Sequence, residues 1–236
     1  MSLKRIGLVA LIVTAPFAVF AGNSFGATKL TTKKAVWSNS GTPFGSTEAT
    51  GKTPKCSAAT SIVLKGTILA STAELTATGV SCSGKLWNEG SGESTMAVGK
   101  GTASFTGITV NKPAGCKLNG EANGSAKLTT ESATIDIQMH DVGEVETSIP
   151  VVVFKSAGEK FATINLTGCA AEGKYKVTGT GLGEGASSTG VGAANSVVFF
   201  NETTNEAASL TLAGNPATIT GKVNNELIGG EAFQVN

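Results

Sequence analysis

The chain has 236 residues, a formal net charge of +1, 15% charged residues and 31 glycines. A charge so sparse and balanced excludes a dedicated grip on nucleic acid, which needs a basic face with arginine forks; Arg5 is the only arginine. Disordered chains carry more charge and fewer aliphatic residues, so the expectation is a folded protein with one substantial core or two small ones.

Residues 1–21 read as a cleaved helical signal peptide. Lys4 and Arg5 precede an apolar run over 6–20, and Val19 and Ala21 occupy the small-residue positions before a cut; Ala27 marks an alternative site. The run is shorter than the ~20 residues a spanning helix needs and contains Pro16. Its removal takes Lys4 and Arg5 and turns the net charge to about −1. The mature chain, with its β-rich region over 28–236, is therefore expected to be secreted or associated with the cell envelope, without a transmembrane segment. Lys29, Lys33 and Lys34 near its start read as a solvated tail.

Period-two alternation recurs over 61–69, 73–80, 102–110, 126–139, 160–166, 174–180, 196–201, 209–213 and 217–223. These segments read as strands, with turn residues such as Asn119-Gly120 between them. No later window carries a capped helical stripe. The predicted fold is all-β, an antiparallel β-sandwich or a barrel-like form. Pro150 ahead of Val151 suggests a strand entering just after a proline. Residues 179–195, rich in Gly and Ser, read as a flexible loop. The stretch around Cys82, Gly84-Lys85 and Trp87 echoes that around Cys169, Gly173-Lys174 and Tyr175. The echo leaves two related β halves, splitting near 118–125, as an alternative to one unit.

Cys56, Cys82, Cys116 and Cys169 in an exported chain point to two disulfides rather than to thiols or metal ligands, and no C-x-x-C pair supports zinc. Three connectivities exist. The favoured one is Cys56 with Cys82 and Cys116 with Cys169, each closing a loop of tens of residues.

The chemistry-bearing residues are few. His140 is the only histidine, so it must be the base of any Ser-His-Asp or Cys-His arrangement, with Asp136 or Asp141 nearby; yet no G-x-S-x-G elbow occurs. Asp141, Glu144 and Glu146 form an acidic cluster with oxygen ligands for Ca²⁺ but without the alternating calcium-loop pattern. Gly51-Lys52-Thr53 misses a phosphate-binding loop by one residue and reads as a turn. Gly179, Gly181, Gly183 and Gly185 fail the dinucleotide pattern. No cofactor, metal or catalytic residue is assigned. Trp37, Trp87 and Tyr175 are the large amphipathic aromatics that could stack on a sugar, against the plainer reading of packing residues. Sequons occur at Asn123, Asn165 and Asn201.

Three segments carry a resemblance: SFTGITVNKPAGCKLNG from Ser104, FATINLTGCAAEGKYKVTGTG from Phe161 and SLTLAGNPATITGKV from Ser209. They resemble a group of uncharacterised secreted β-rich bacterial proteins with patterns of the kind FTGCxVxxPxGCxV, IxGCxxxGxYxVxG and LxxGGxPAxxxG. Ile108 stands where that group often has Cys. The resemblance implies an exported β-rich protein and transfers no activity.

The leading expectation is thus a non-enzymatic secreted or envelope-associated protein that binds or assembles through its β-surface. Its partner would be a cell-wall or surface glycan or another envelope protein. A carbohydrate-binding module using Trp37, Trp87 or Tyr175, and a secreted hydrolase using His140 or a glutamate pair, are the alternatives.

Overall fold

The computed structural model describes residues 29–142, 145–185, 195–200, 209–229 and 233–235; for 29–34, 139–150, 184–185, 195–200 and 234–235 it describes the backbone alone. The predicted signal peptide, Glu144 and Asn201 lie outside the described residues.

The strands follow in chain order. β1 (Lys29–Lys34), β2 (Trp37–Asn39), β3 (Thr42–Pro43) and β4 (Pro54–Ala58) precede the hairpin of β5 (Ile62–Ile68) and β6 (Ser71–Ala77). β7 (Gly79–Glu89) and the 17-residue β8 (Met96–Lys112) pair along the whole length of β7. Then come β9 (Lys117–Leu118), β10 (Ala126–Thr129), β11 (Ala133–Val142), β12 (Val145–Ser156), β13 (Ala162–Thr167) and β14 (Gly173–Thr178). β15 (Thr180–Gly185), β16 (Asn195–Phe200), β17 (Thr211–Leu212), β18 (Asn215–Pro216), β19 (Thr218–Leu227) and β20 (Gln234–Val235) complete the set. The helical turns among the described residues are two short 3-10 turns, Glu48–Thr50 and Gly92–Ser94. Every described strand pairing is antiparallel, and the fold is an all-β sandwich as expected.

Four expectations differ from the structure. The stretch of Lys29, Lys33 and Lys34, read as a tail, is strand β1, paired with β11. The single strand expected over 126–139 is two, β10 and β11. Between them the chain turns away, and Thr130 bonds through its backbone N–H to the Ala103 carbonyl. The start of the expected 179–195 loop is β15, whose Gly181 and Gly183 face Phe154 and Val152 across the ladder to β12. Glycine lacks strand propensity, but large side chains on the partner strand occupy the surface it leaves. The strand at Pro150 begins earlier, at Val145, and Pro150 sits one residue before the pairing to β15 starts at Val151. A residue without an N–H is tolerated where one side of the ladder is open.

Two long strands carry the chain between layers. β8 pairs with β7 over 96–106 and with β6 from 109 to 112; β19 pairs with β5 over 218–220 and then with β16 and β4. Each bends at a glycine of positive φ, Gly107 (63°) and Gly221 (135°), conformations that L side chains rarely adopt. A Cβ at Gly221 would also stand 2.7 Å from the Ser61 carbonyl oxygen. Because of these bends, pairing runs from β8 through β11, β12, β15, β16, β19, β5 and β6 back to β8, so the layers are joined at both edges.

Two apolar clusters fill the interior. One joins Ile62, Leu75, Ile108 and Val110 to Leu118, Ile164, Leu166, Val177 and Leu212 of the five-stranded sheet β18-β17-β14-β13-β9. On β13 the alternation ATINLT buries Ala162, Ile164 and Leu166, each large side chain contributing roughly 1.5–3 kcal/mol. The second cluster joins Leu86, Ala97, Ile137, Val152 and Leu227 to Trp37, Phe44 and Phe233.

The disulfides are Cys56–Cys82 and Cys116–Cys169, the pairing favoured from spacing. The first ties β4 to β7; the second ties the β8–β9 connection to the β13–β14 turn. The echoed segments occupy different settings, since Cys82 lies within a strand and Cys169 in a turn.

Candidate functional site: an apolar cavity between two core clusters

Between the two clusters lies a cavity of about 260 Å³. It exists because three adjacent strands bring small residues into register. Gly84 of β7 stands opposite Gly101 of β8, and Gly101 stands opposite Ala133 of β11. Alternation turns Val80, Cys82, Gly84 and Leu86 to one face of β7, the face that Leu86 buries in the second cluster. The matching row on β8 is Ala97, Gly99, Gly101, Ala103 and Phe105. Where a packed sandwich would place aliphatic side chains, this wall has hydrogen atoms and methyl groups. Strand approach also enforces the glycines: a Cβ on Gly84 or Gly101 would collide with the main-chain oxygen of Lys100 or Ser83 respectively.

The remaining wall is aliphatic and aromatic. Phe105, Leu128 and Phe161 bound the cavity from the first cluster, and Ile135, Phe154, Trp37 and Phe233 from the second. The lining extends to the exposed Ser83 and Lys100. Those two residues and Lys85 have the opposite parity to Gly84 and Gly101, so their side chains turn away from the interior; Lys85 Nζ donates to the Gly51 carbonyl at 3.4 Å.

Asn225 is different. On β19 it shares the inward face with the buried Val223 and Leu227 and stands opposite Cys56. It is half-buried, lines the cavity, and makes no side-chain hydrogen bond among the described residues. Thr130, which also lines the cavity, already accepts the Ala103 N–H at its hydroxyl oxygen at 2.9 Å.

The β2–β3 segment closes the second cluster through one side chain. Asn88 is 3% exposed. Its Oδ1 accepts the Trp37 N–H at 2.8 Å, and its Nδ2 donates to the carbonyls of Trp37 at 3.0 Å and Phe44 at 3.2 Å. Trp37 Nε1 donates to the Val98 carbonyl at 2.9 Å, and its ring meets Phe233 edge-on at 5.4 Å. Neither asparagine was among the residues singled out from sequence. The available signal was parity, a polar residue at an inward position of an alternating strand, as in Val223-x-Asn225-x-Leu227.

The residues singled out from sequence are dispersed. Trp37 is 5% exposed and belongs to the core rather than to a solvent-facing platform. Trp87 is half-buried on the outward parity of β7, and Tyr175 packs on the first cluster while donating to the Ala171 carbonyl at 3.0 Å. Asp136 forms an ion pair with Lys155 at 3.5 Å. His140 lies on β11 opposite Leu30, and Asp141 faces Glu146 across the β11–β12 ladder; the side chains of all three lie outside the described set. Gly51 caps the 3-10 turn and Lys52 bridges to Leu86, so the near-miss phosphate loop is a turn beside β7. Asn123 Oδ1 accepts the Val110 N–H at 3.1 Å.

Among the described residues no group of three His, Cys, Asp or Glu is placed to hold a metal, and no helix is long and apolar enough to cross a membrane. No protein-family model, curated protein or solved structure matches the chain.

Proposed function

We propose that this is an exported, non-enzymatic binding protein that holds an apolar small molecule in the interior of its β-sandwich. The observation that carries the reading is the cavity of about 260 Å³ between Phe105, Phe161, Phe154 and Trp37. Protein interiors are close-packed, with few voids larger than a water molecule. Apolar side chains around a space of that size lack packing partners on one side and forfeit dispersion contacts. A bound apolar molecule supplies those contacts. Export is supported by the N-terminal segment and by two disulfides that suit an oxidising compartment.

The test is a titration with an aminonaphthalene dye whose emission rises in apolar surroundings. Wild-type protein should bind it saturably at about one dye per chain. Ala103→Leu and Ala133→Leu place a larger side chain in the cavity without removing any hydrogen bond. Each should weaken dye binding at least tenfold with no loss of thermal stability. Dye binding that is absent in the wild type, or undiminished in the folded variants, would overturn the reading.

A further inference from the structure

We infer that the cavity selects an uncharged apolar molecule bearing one hydrogen-bonding oxygen, and that the Asn225 amide is the group that recognises it. This rests on the cavity being a binding site, as proposed above, and adds the chemical class of its ligand.

The argument begins with what the wall offers. Most of the lining is aliphatic and aromatic, and Asn225, opposite Cys56 on β4 and Asn195 on β16, brings to it an amide with no side-chain hydrogen bond among the described residues. An amide at an apolar wall with no protein partner offers a hydrogen bond that a ligand oxygen can take in place of water. Ligand sites of this type combine a mostly apolar surface with a few placed polar groups that set orientation. The amide both donates and accepts, so it suits an alcohol, a ketone or an ester oxygen.

Charge is disfavoured by the same geometry. The lysines of the lining, Lys85 and Lys100, face each other across β7 and β8 on the outward parity. They cannot offset a carboxylate or phosphate beside Asn225, and an ion there would be desolvated without a counter-charge. The ligand class is therefore a neutral lipid-like molecule: a long-chain or polycyclic alcohol, ketone or ester. The polar atom lies at Asn225 beside the Cys56–Cys82 bridge, and the apolar body lies along Gly84, Gly101 and Ala133.

Displacement of the aminonaphthalene dye by decane, decanol and decanoate at pH 8 tests this, with wild type, Asn225→Leu and Asn225→Ser. In wild type, decanol should displace the dye more than tenfold more effectively than decanoate. In Asn225→Leu the ratio of decanol to decane affinity should fall about tenfold, the worth of one hydrogen bond. Asn225→Ser, which puts a hydrogen-bonding hydroxyl in place of the amide, should retain most of the ratio and guards against misfolding of the leucine variant. An unchanged ratio in Asn225→Leu, or decanoate binding more tightly than decanol, overturns the inference while leaving the cavity a binding site. Failure of the dye and of all three ligands to bind overturns the underlying reading as well.

Discussion

Replacing Asn88 with Ala is the sharpest test of how the structure holds its second cluster together. Asn88 is 3% exposed and makes three side-chain hydrogen bonds, to the N–H and carbonyl of Trp37 and to the carbonyl of Phe44. Each buried bond contributes about 1 kcal/mol net, and truncation takes the Asn88 partner from the Trp37 N–H and the Phe44 carbonyl beside an apolar cluster, while the Trp37 carbonyl keeps the Phe44 N–H at 2.9 Å. The sum is a loss of about 3–4 kcal/mol, moderated by water reaching the loosened β2–β3 segment. At this chain length that corresponds to a fall in Tm of roughly 10 °C. The assay is thermal unfolding followed by tryptophan emission in a Trp87→Phe background, so that Trp37 alone reports. Its Nε1 bond to Val98 and its contact with Phe233 should loosen, shifting emission to the red before global unfolding. A loss below about 1 kcal/mol with unchanged Trp37 emission would refute the claim that Asn88 fastens this segment.

Other consequences follow from the bridges and the ion pairs. Cys116–Cys169 spans 53 residues and Cys56–Cys82 spans 26, so the chain-entropy model assigns about 4 and about 3.5 kcal/mol to them. Paired Cys→Ala variants should lose stability in that order in denaturant titrations, and the reverse order would contradict the loop-length account. Glu74 faces Lys65 at 3.2 Å and accepts the Asn111 side-chain N–H at 3.1 Å, and these contacts hold its carboxyl below the ordinary value. A depressed folded-state pKa adds stability above the unfolded value, and that stability is lost as pH falls through the folded one. Glu74→Gln should therefore be slightly less stable than wild type at neutral pH and equal to it once Glu74 of the wild type is protonated in both the folded and the unfolded state. A difference that persists undiminished in acid would show that the carboxylate charge is not the cause.

How much of this was legible in the sequence depends on whether the cause was local. Segments such as 62–68 and 162–167 declare themselves because alternation buries one face, and nothing distant is needed to read it. The four cysteines likewise pointed to two disulfides, but three pairings were open, and the strand neighbours that select the observed one belong to the fold. β15 was hidden because TGLGEG has no propensity of its own and becomes a strand through Val152 and Phe154 opposite its glycines. The cavity was hidden more deeply. Gly84, Gly101 and Ala133 are unremarkable in a glycine-rich chain until pairing sets them side by side. Trp37 was considered for stacking on a ligand, yet only the packing of Phe44 and Phe233 on it shows that its ring faces the interior.

The central claim is that an apolar molecule enters the cavity, and Trp37, which lines it, sits where such a molecule would be sensed. The most direct measurement is quenching of tryptophan fluorescence by a brominated decanol in two single-tryptophan variants. With Trp87→Phe, the remaining Trp37 should be quenched saturably. With Trp37→Phe, the outward-facing Trp87 should show only the weak linear quenching of collisions in solution. Saturable quenching of Trp87 with Trp37 untouched would place the ligand on the outer surface and contradict the account.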